Sequence, residues 1–326
     1  MKKILLLLLI LIAAGAYAYN LVFTTPVAVG EKAVDILPNK SLRTIATLLQ
    51  NEGVLKNKWP LVFYAKAIGA ARKIQSGEFM FKTPSSPKDV LETLLHGTVV
   101  LHKVTIPEGT TVAEMAPWFE QASVIKADEF IKATRDPQML QAFGIPIDRF
   151  EGYLFPSTYL FPKNEKIKKI FQVMTDEMLK NITPEDKQKA ASYGWNLHQW
   201  LTIASVIEKE TGNPNEYPLV SSVFHNRIAK GMKLQSDPTV IYGIENYDGN
   251  IRKKDLLTDH PYSTYTRKGL PVGPICSPGA AAIHAAVNPG ATDFLYFVGN
   301  NQGAHIFTRT YQEHLKAVQK YQLGQR

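Results

Sequence analysis

The chain opens on an unbroken apolar stretch, and most of the remaining sequence alternates amphipathic helical periods with short β-like runs. Met1-Lys2-Lys3 precedes an uncharged run from Ile4 to Phe23, and about 20 such residues suffice to span a bilayer as a helix. The paired lysines predict a cytoplasmic N-terminus, with everything after residue 24 exported. Ala16-Tyr17-Ala18 offers a rival reading as a signal-peptide cleavage site behind a shorter apolar core, Ile4 to Ala14. Because Leu21, Val22 and Phe23 prolong the apolar run, an uncleaved anchor over residues 1–24 is the expectation. No Cys lies there, which excludes a lipoprotein anchor.

From Asp35 to about His102 the pattern predicts a small α+β module. ILPNKSLRTIATLLQNEGVL reads as a turn, Ser41 as N-cap, an amphipathic helix with Leu42, Ile45, Ala46, Leu48 and Leu49 inward, and a stop at Gly53. FKTPSSPKDVLETLLHGTVV repeats turn, cap, helix-starting Pro and a stop at Gly97, and TIPEGTTVAEMAPWFEQASV repeats the order more loosely. Residues 128–186 read as mostly helical, interrupted by EGYLFPSTYLFP, Glu151 to Pro162. Its alternating aromatics and two prolines suit an exposed edge strand or an ordered loop. Aromatics beside the Glu151 carboxylate fit a sugar-binding cleft as well as an apolar patch between domains.

One helix carries an anomaly. LHQWLTIASVIEKETG, Leu197 to Gly212, follows Asn196, which with Gln199 resembles a capping box, and stops at Gly212. At about 100° per residue, Leu197, Trp200, Leu201, Ala204, Ile207 and Glu208 fall in one stripe roughly 120° wide, whereas Glu210 points about 160° away from Glu208. Glu208 is therefore directed at the core or at a cleft. An unpaired charge there is costly, so the carboxylate is either held in an ion pair or kept protonated by desolvation and able to donate a proton.

Downstream, residues 216–230 predict a helix that stops at Gly231, and LQSDPTVIYGI places Asp237 as N-cap before Pro238. Capping does not account for Asn226, Arg227, Gln235 and Thr239. HPYSTYTRKGLPVGPICSPG reads as a rigid loop whose backbone can approach a ligand closely. Ser277-Pro278 then starts a helix that ends at Asn288-Pro289-Gly290. Residues 294–298 and 305–308 form a hairpin, and an amphipathic helix closes the chain.

Composition narrows the chemistry. The 326 residues, 45% apolar and 20% charged, suit two globular domains or three small ones. Thirty-seven basic against 29 acidic residues give +8, but the excess is dispersed, without the dense stripe that tracks a phosphate backbone, so no nucleic-acid partner is expected. The balance suits an anionic membrane or polymer. A single cysteine, Cys276, excludes an internal disulfide, and the eight histidines lack metal-ligand spacing, so neither metal nor cofactor is expected.

Taken together, ASVIEKET, SVFHNRI, LQSDPTVIYGI, YSTYTRKGLPVGPICSPG and FLYFVGNNQGAHIFT, with IPEGTT and EGYLFPSTY upstream, resemble the endolytic murein transglycosylases of the MltG or YceG-like family. The order and spacing of these blocks are more specific than any one of them. The resemblance implies an α+β protein with a single-pass inner-membrane anchor (1–24), a LysM-like subdomain (35–102) and an extracytoplasmic catalytic domain (103–326) that carries its catalytic Glu on a helix. It also implies cleavage within nascent peptidoglycan strands, terminating elongation, with cell-wall synthases such as penicillin-binding proteins as candidate partners. The catalytic acid of the family is the first Glu of the EKE block, here Glu208. Glu151, Asn226, Gln235, Asp237, Thr239 and Tyr265 become candidates for holding sugars and peptide stems.

One acid can suffice if the substrate supplies the nucleophile. The C6 hydroxyl of N-acetylmuramic acid attacks its own C1, while Glu208 first protonates the leaving oxygen and then takes up the C6 proton. Two other readings remain open at this point. A hydrolase would use Glu151 or Glu210 as a second carboxylate; a non-catalytic membrane-anchored scaffold for cell-wall synthases would hold Glu208 in a structural ion pair.

Overall fold

The structure is a computed structural model that describes residues 2–24 and 26–324. It divides into two compact units: the chain through His102 together with Leu160–Asn164, and Lys103–Tyr159 together with the chain from Glu165 onward.

In the first unit, α1 (Lys2–Phe23) carries no buried residue. By length and composition it is the one helix among the described residues able to cross a membrane. After it come β1 (Gly30–Ile36), α2 (Leu42–Asn51), α3 (Trp59–Ala67), β2 (Gly77–Thr83) and α4 (Pro87–His96). β1 and β2 pair antiparallel, from Gly30 opposite Thr83 to Ile36 opposite Gly77. Alternation puts Val34, Ile36, Phe79 and Phe81 on one buried face, in one cluster with Ile45 and Leu49 of α2, Leu61 and Val62 of α3, and Val90 and Leu94 of α4. The predicted caps are present. The Ser41 and Ser86 hydroxyls accept from the N–H groups of Thr44 and Asp89, each at 3.1 Å, and α4 ends at Gly97. The sequence pattern does not announce α3, which buries Leu61, Val62 and Ala65 but leaves Trp59 and Phe63 exposed.

The division between the units runs through β3 (Leu101–Thr105) and through β4 (Thr158–Pro162), its partner strand. Between them lie α5 (Val112–Gln121), α6 (Ala127–Ala133) and α7 (Pro137–Ala142). Then come α8 (Ile167–Lys180), α9 (Pro184–Ser192), α10 (Leu197–Glu210), a 3-10 turn at Pro214–Glu216, α11 (Tyr217–Ala229), α12 (Asp237–Gly243), α13 (Lys253–Leu257) and α14 (Ala280–Val287). β5 (Tyr296–Gly299) and β6 (His305–Thr308) form the predicted hairpin, ahead of α15 (Tyr311–Val318).

Two local expectations are corrected. EGYLFPSTYLFP is an ordered loop that runs into the strand β4, as one expectation had it, but it is not exposed as a whole: Tyr153, Leu154, Phe155, Tyr159 and Phe161 are buried, with the Tyr159 hydroxyl donating to the Phe155 carbonyl at 2.7 Å. Its aromatics alternate because they fill the core, where Phe150 packs at 4.6 Å against Phe171. The helix expected from Ser277 begins instead at Ala280, with Gly279 as its N-cap. Ser277 exchanges backbone hydrogen bonds with the 109–110 loop: the Gly109 N–H donates to its carbonyl, and its own N–H to the Thr110 carbonyl, both at 2.9 Å.

Candidate active site

The site is built on the C-terminal turn of α10. Its capping box is the predicted one, Asn196 accepting from the Gln199 N–H and Gln199 from the Asn196 N–H. The helix is not amphipathic in its surroundings, for every residue from Trp200 to Ile207 is buried. α14, α11 and α12 pack on it, the Trp200 indole N–H donates to the Ile283 carbonyl at 2.7 Å, and the Ser205 hydroxyl accepts from the Ile275 N–H at 3.0 Å. A helix held on all sides gives the side chains of its last turn little freedom to move.

Glu208 emerges from this scaffold half-buried. One carboxylate oxygen accepts from the Tyr217 hydroxyl and the other from the Gly279 N–H, both at 2.9 Å. Among the described residues no cation bonds to it: the Lys209 ammonium turns to the Gly109 carbonyl instead, at 3.2 Å. Burial pushes the Glu208 carboxyl above its ordinary range and the nearby Glu108 charge pushes the same way, against the two hydrogen bonds and Lys209. The ion-pair reading therefore lacks its cation.

Glu208 lines an open cleft of about 340 Å³ with Glu108, Gly109, Lys209, Glu210, Thr211, Gly212, Pro214 and Tyr217. Glu108, Tyr217 and Gly279 are the functional neighbours that sequence reasoning missed. Glu108 stands in IPEGTT, one of the quoted blocks, but 100 residues before Glu208, so nothing local announces that the two meet. Tyr217 opens α11 beside a proline and reads from sequence as an ordinary helix start.

Across the helix end, Glu210 lines a second cavity of about 420 Å³ with Arg227, Gln235, Asp237, Tyr265, Tyr296, Tyr311 and His314 among others. The Glu210 carboxylate accepts from the Ser236 hydroxyl, and burial pushes its pKa up to about 7. Arg227 is buried and donates to the carbonyls of Leu295 and Leu234, at 2.7 and 2.6 Å.

None of the six further candidates lines the Glu208 cleft. Gln235, Asp237 and Tyr265 line the second cavity. Asp237 is the first residue of α12 rather than its cap, Ser236 occupying the cap position, and the Asp237 carboxylate accepts from the Tyr265 hydroxyl at 2.6 Å. The other three are engaged in the fold. Asn226 donates to the carbonyls of Thr292 and Phe294, each at 2.9 Å. Thr239, fully buried, donates to the Ser236 carbonyl at 2.7 Å. Glu151, 3% exposed, accepts from the Val112 N–H at 3.1 Å and the Tyr242 hydroxyl at 2.9 Å; burial pushes its pKa to about 7. Glu151 is thus sealed into the fold, and the acids that share the cleft with Glu208 are Glu108 and Glu210.

The YceG-like family model matches residues 34–320. The chain belongs to the YceG-like family. Two relatives named endolytic murein transglycosylase frame this membership. The one from Bacillus subtilis is 32% identical over 95% of this chain and 91% of its own length. The one from Streptococcus pneumoniae is 28% identical over 97% of this chain but 64% of its own length, so the YceG-like chain spans less than two thirds of that relative. A crystallised YceG-like protein from Listeria monocytogenes superposes with a TM-score of 0.61 at 30% identity, covering 88% of this chain and 99% of that one.

Proposed function

We propose that this YceG-like protein is an endolytic murein transglycosylase that cleaves the β-1,4 bond between N-acetylmuramic acid and N-acetylglucosamine inside nascent strands, leaving 1,6-anhydro ends and terminating elongation. The observation that carries the reading is the Glu208 carboxyl: half-buried, pushed toward its protonated form, bonded by two neutral donors and facing an open cleft. As acid it donates its proton to the glycosidic oxygen as the C1–O4 bond breaks. As carboxylate it then accepts the proton of the C6 hydroxyl, whose oxygen closes on C1. The proton returns and no water is consumed.

The apolar α1 supports a single-pass anchor in the plasma membrane with the catalytic part outside the cytoplasm. The small α+β build of residues 35–102 supports a LysM-like, glycan-holding subdomain. Work on emerging strands would bring the enzyme beside cell-wall synthases such as penicillin-binding proteins. The test is mass spectrometry of products released from uncrosslinked peptidoglycan strands by the full chain in detergent, wild type against Glu208→Gln. Anhydro-ended fragments from wild type alone are expected. Reducing ends would make it a hydrolase, and no fragments from a folded wild type would leave a scaffold.

A further inference from the structure

Glu108 is held in the cleft by its backbone and by nothing at its tip. Its loop is tied to residue 277 by the two backbone hydrogen bonds at Gly109 and Thr110, to α10 by Lys209 on the Gly109 carbonyl, and to itself by the Thr110 hydroxyl on the Pro107 carbonyl at 2.7 Å. Gly109 takes a φ of 73°, a left-handed conformation that favours glycine. The Glu108 carboxylate makes no hydrogen bond or ion pair among the described residues, yet it rests on Gly279: a Cβ there would come within 1.9 Å of Glu108 Oε1. The Gly279 N–H is the same group that holds Glu208 Oε2. Through this shared glycine the two carboxylates lie at most about 8 Å apart, and both line the same open cleft.

We propose that Glu108 is a second catalytic carboxylate, an anion that faces the positive charge developing at C1 while Glu208 handles the proton. The proposal rests on the transglycosylase reading and deepens it. As the C1–O4 bond breaks, C1 takes on oxocarbenium character, and an anion placed beside it by the Glu108 backbone stabilises that state more than the neutral ground state. Glu108 forms no bond to the sugar; the Glu208 proton goes to O4 and is replaced from the C6 hydroxyl. An acid serving stability would be expected to bond to something in the protein.

The geometry provides an orthogonal handle. Gly279 has φ −76°, which alanine adopts freely, so Gly279→Ala keeps the N–H on Glu208 while its methyl displaces the Glu108 carboxylate. In full-length protein acting on uncrosslinked strands, Glu108→Gln should lower kcat/KM about 10- to 100-fold with products still anhydro-ended and Tm unchanged. Its alkaline limb should move about 0.5–1 unit toward acid, because the repelling charge beside Glu208 is gone. The other titratable groups around Glu208, namely Lys209, Glu210, Tyr217 and Cys276, are unchanged in this variant. Gly279→Ala should show a comparable loss alone and little more in a Glu108→Ala background.

Wild-type kinetics in Glu108→Gln would overturn the proposal and leave the transglycosylase standing. So would a loss matched by a fall in Tm, or losses in the two variants that simply add. Reducing-ended products from wild type would remove the transglycosylase reading and this proposal with it.

Discussion

The last turn of α10 carries two acids that meet opposite fates. Glu208 and Glu210 are two residues apart, both pushed up by burial; both line the open cleft, and Glu210 also lines the second cavity across the helix end. Glu208 is held by a backbone N–H and a phenol from two other elements and faces an open cleft. Glu210 is engaged by Ser236, beside the buried Arg227. Burial alone therefore does not make an acid catalytic. What separates them is how they are held: Glu208 by a rigid pair of neutral donors from two other elements, Glu210 by the Ser236 hydroxyl.

The sharpest way to break this contrast is to remove each proton carrier in turn. Glu208→Gln keeps the shape, with its amide oxygen accepting from the Gly279 N–H and its NH2 donating to the Tyr217 oxygen, but has no proton to cycle, so kcat should fall at least about 10³-fold with little change in Tm. Glu210→Gln should retain activity within about tenfold, since its tip is turned to Ser236. Equal losses in the two variants, read by anhydro-end release, would mean that the acids work as a pair and would sink the distinction.

A second test uses pH and reverses the ranking. A carboxyl raised to about 7 in the folded chain, against about 4.3 unfolded, binds its proton more tightly when folded. It therefore contributes stability that is complete below about 4.3 and is lost as pH climbs to about 7. For Glu210 the loss is about 2–4 kcal/mol. Denaturant unfolding of Glu210→Gln and wild type should give stabilities that diverge across that interval and run parallel above it. Glu151 carries the same sign, so Glu210→Gln keeps the part of the slope that Glu151 contributes. A difference independent of pH would show that Glu210 is ionised throughout.

How the acids are distinguished was only partly legible in the sequence. Period and capping placed Glu208 inward, and the Asn196–Gln199 box is present as read. The wheel set Glu210 on the opposite side without revealing that this side is enclosed too, because α10 is buried all round and only tertiary packing of α11, α12 and α14 makes it so. Thr239 and Asn226 have polar side chains that a single sequence cannot divide between ligand and backbone; here backbone carbonyls take both. Asp237 shows how a one-residue shift of a helix start turns a cap into a partner for Tyr265. Glu108 had no local signature, its place in the cleft being set by a loop laid against residues 277–279.

The mildest prediction concerns the phenol that Glu208 alone enjoys. Tyr217 donates to one carboxylate oxygen, and a hydrogen bond to a carboxylate favours its charged form. Tyr217→Phe removes that bond while keeping the ring, so the Glu208 carboxyl should rise further and the alkaline limb of the pH–rate profile should move toward higher pH by about half a unit. Activity at the optimum should fall only several-fold, since the proton is kept more readily but the carboxyl is less well aimed. The shift is opposite in sign to the one expected when the Glu108 charge is removed, although both changes touch the same carboxyl. Opposite shifts in two single variants, with partial cancellation in the double variant, would locate the titrating group at Glu208, because Glu210 contacts neither neighbour. Shifts of the same sign would instead place the titration elsewhere and dissolve the contrast between the two acids.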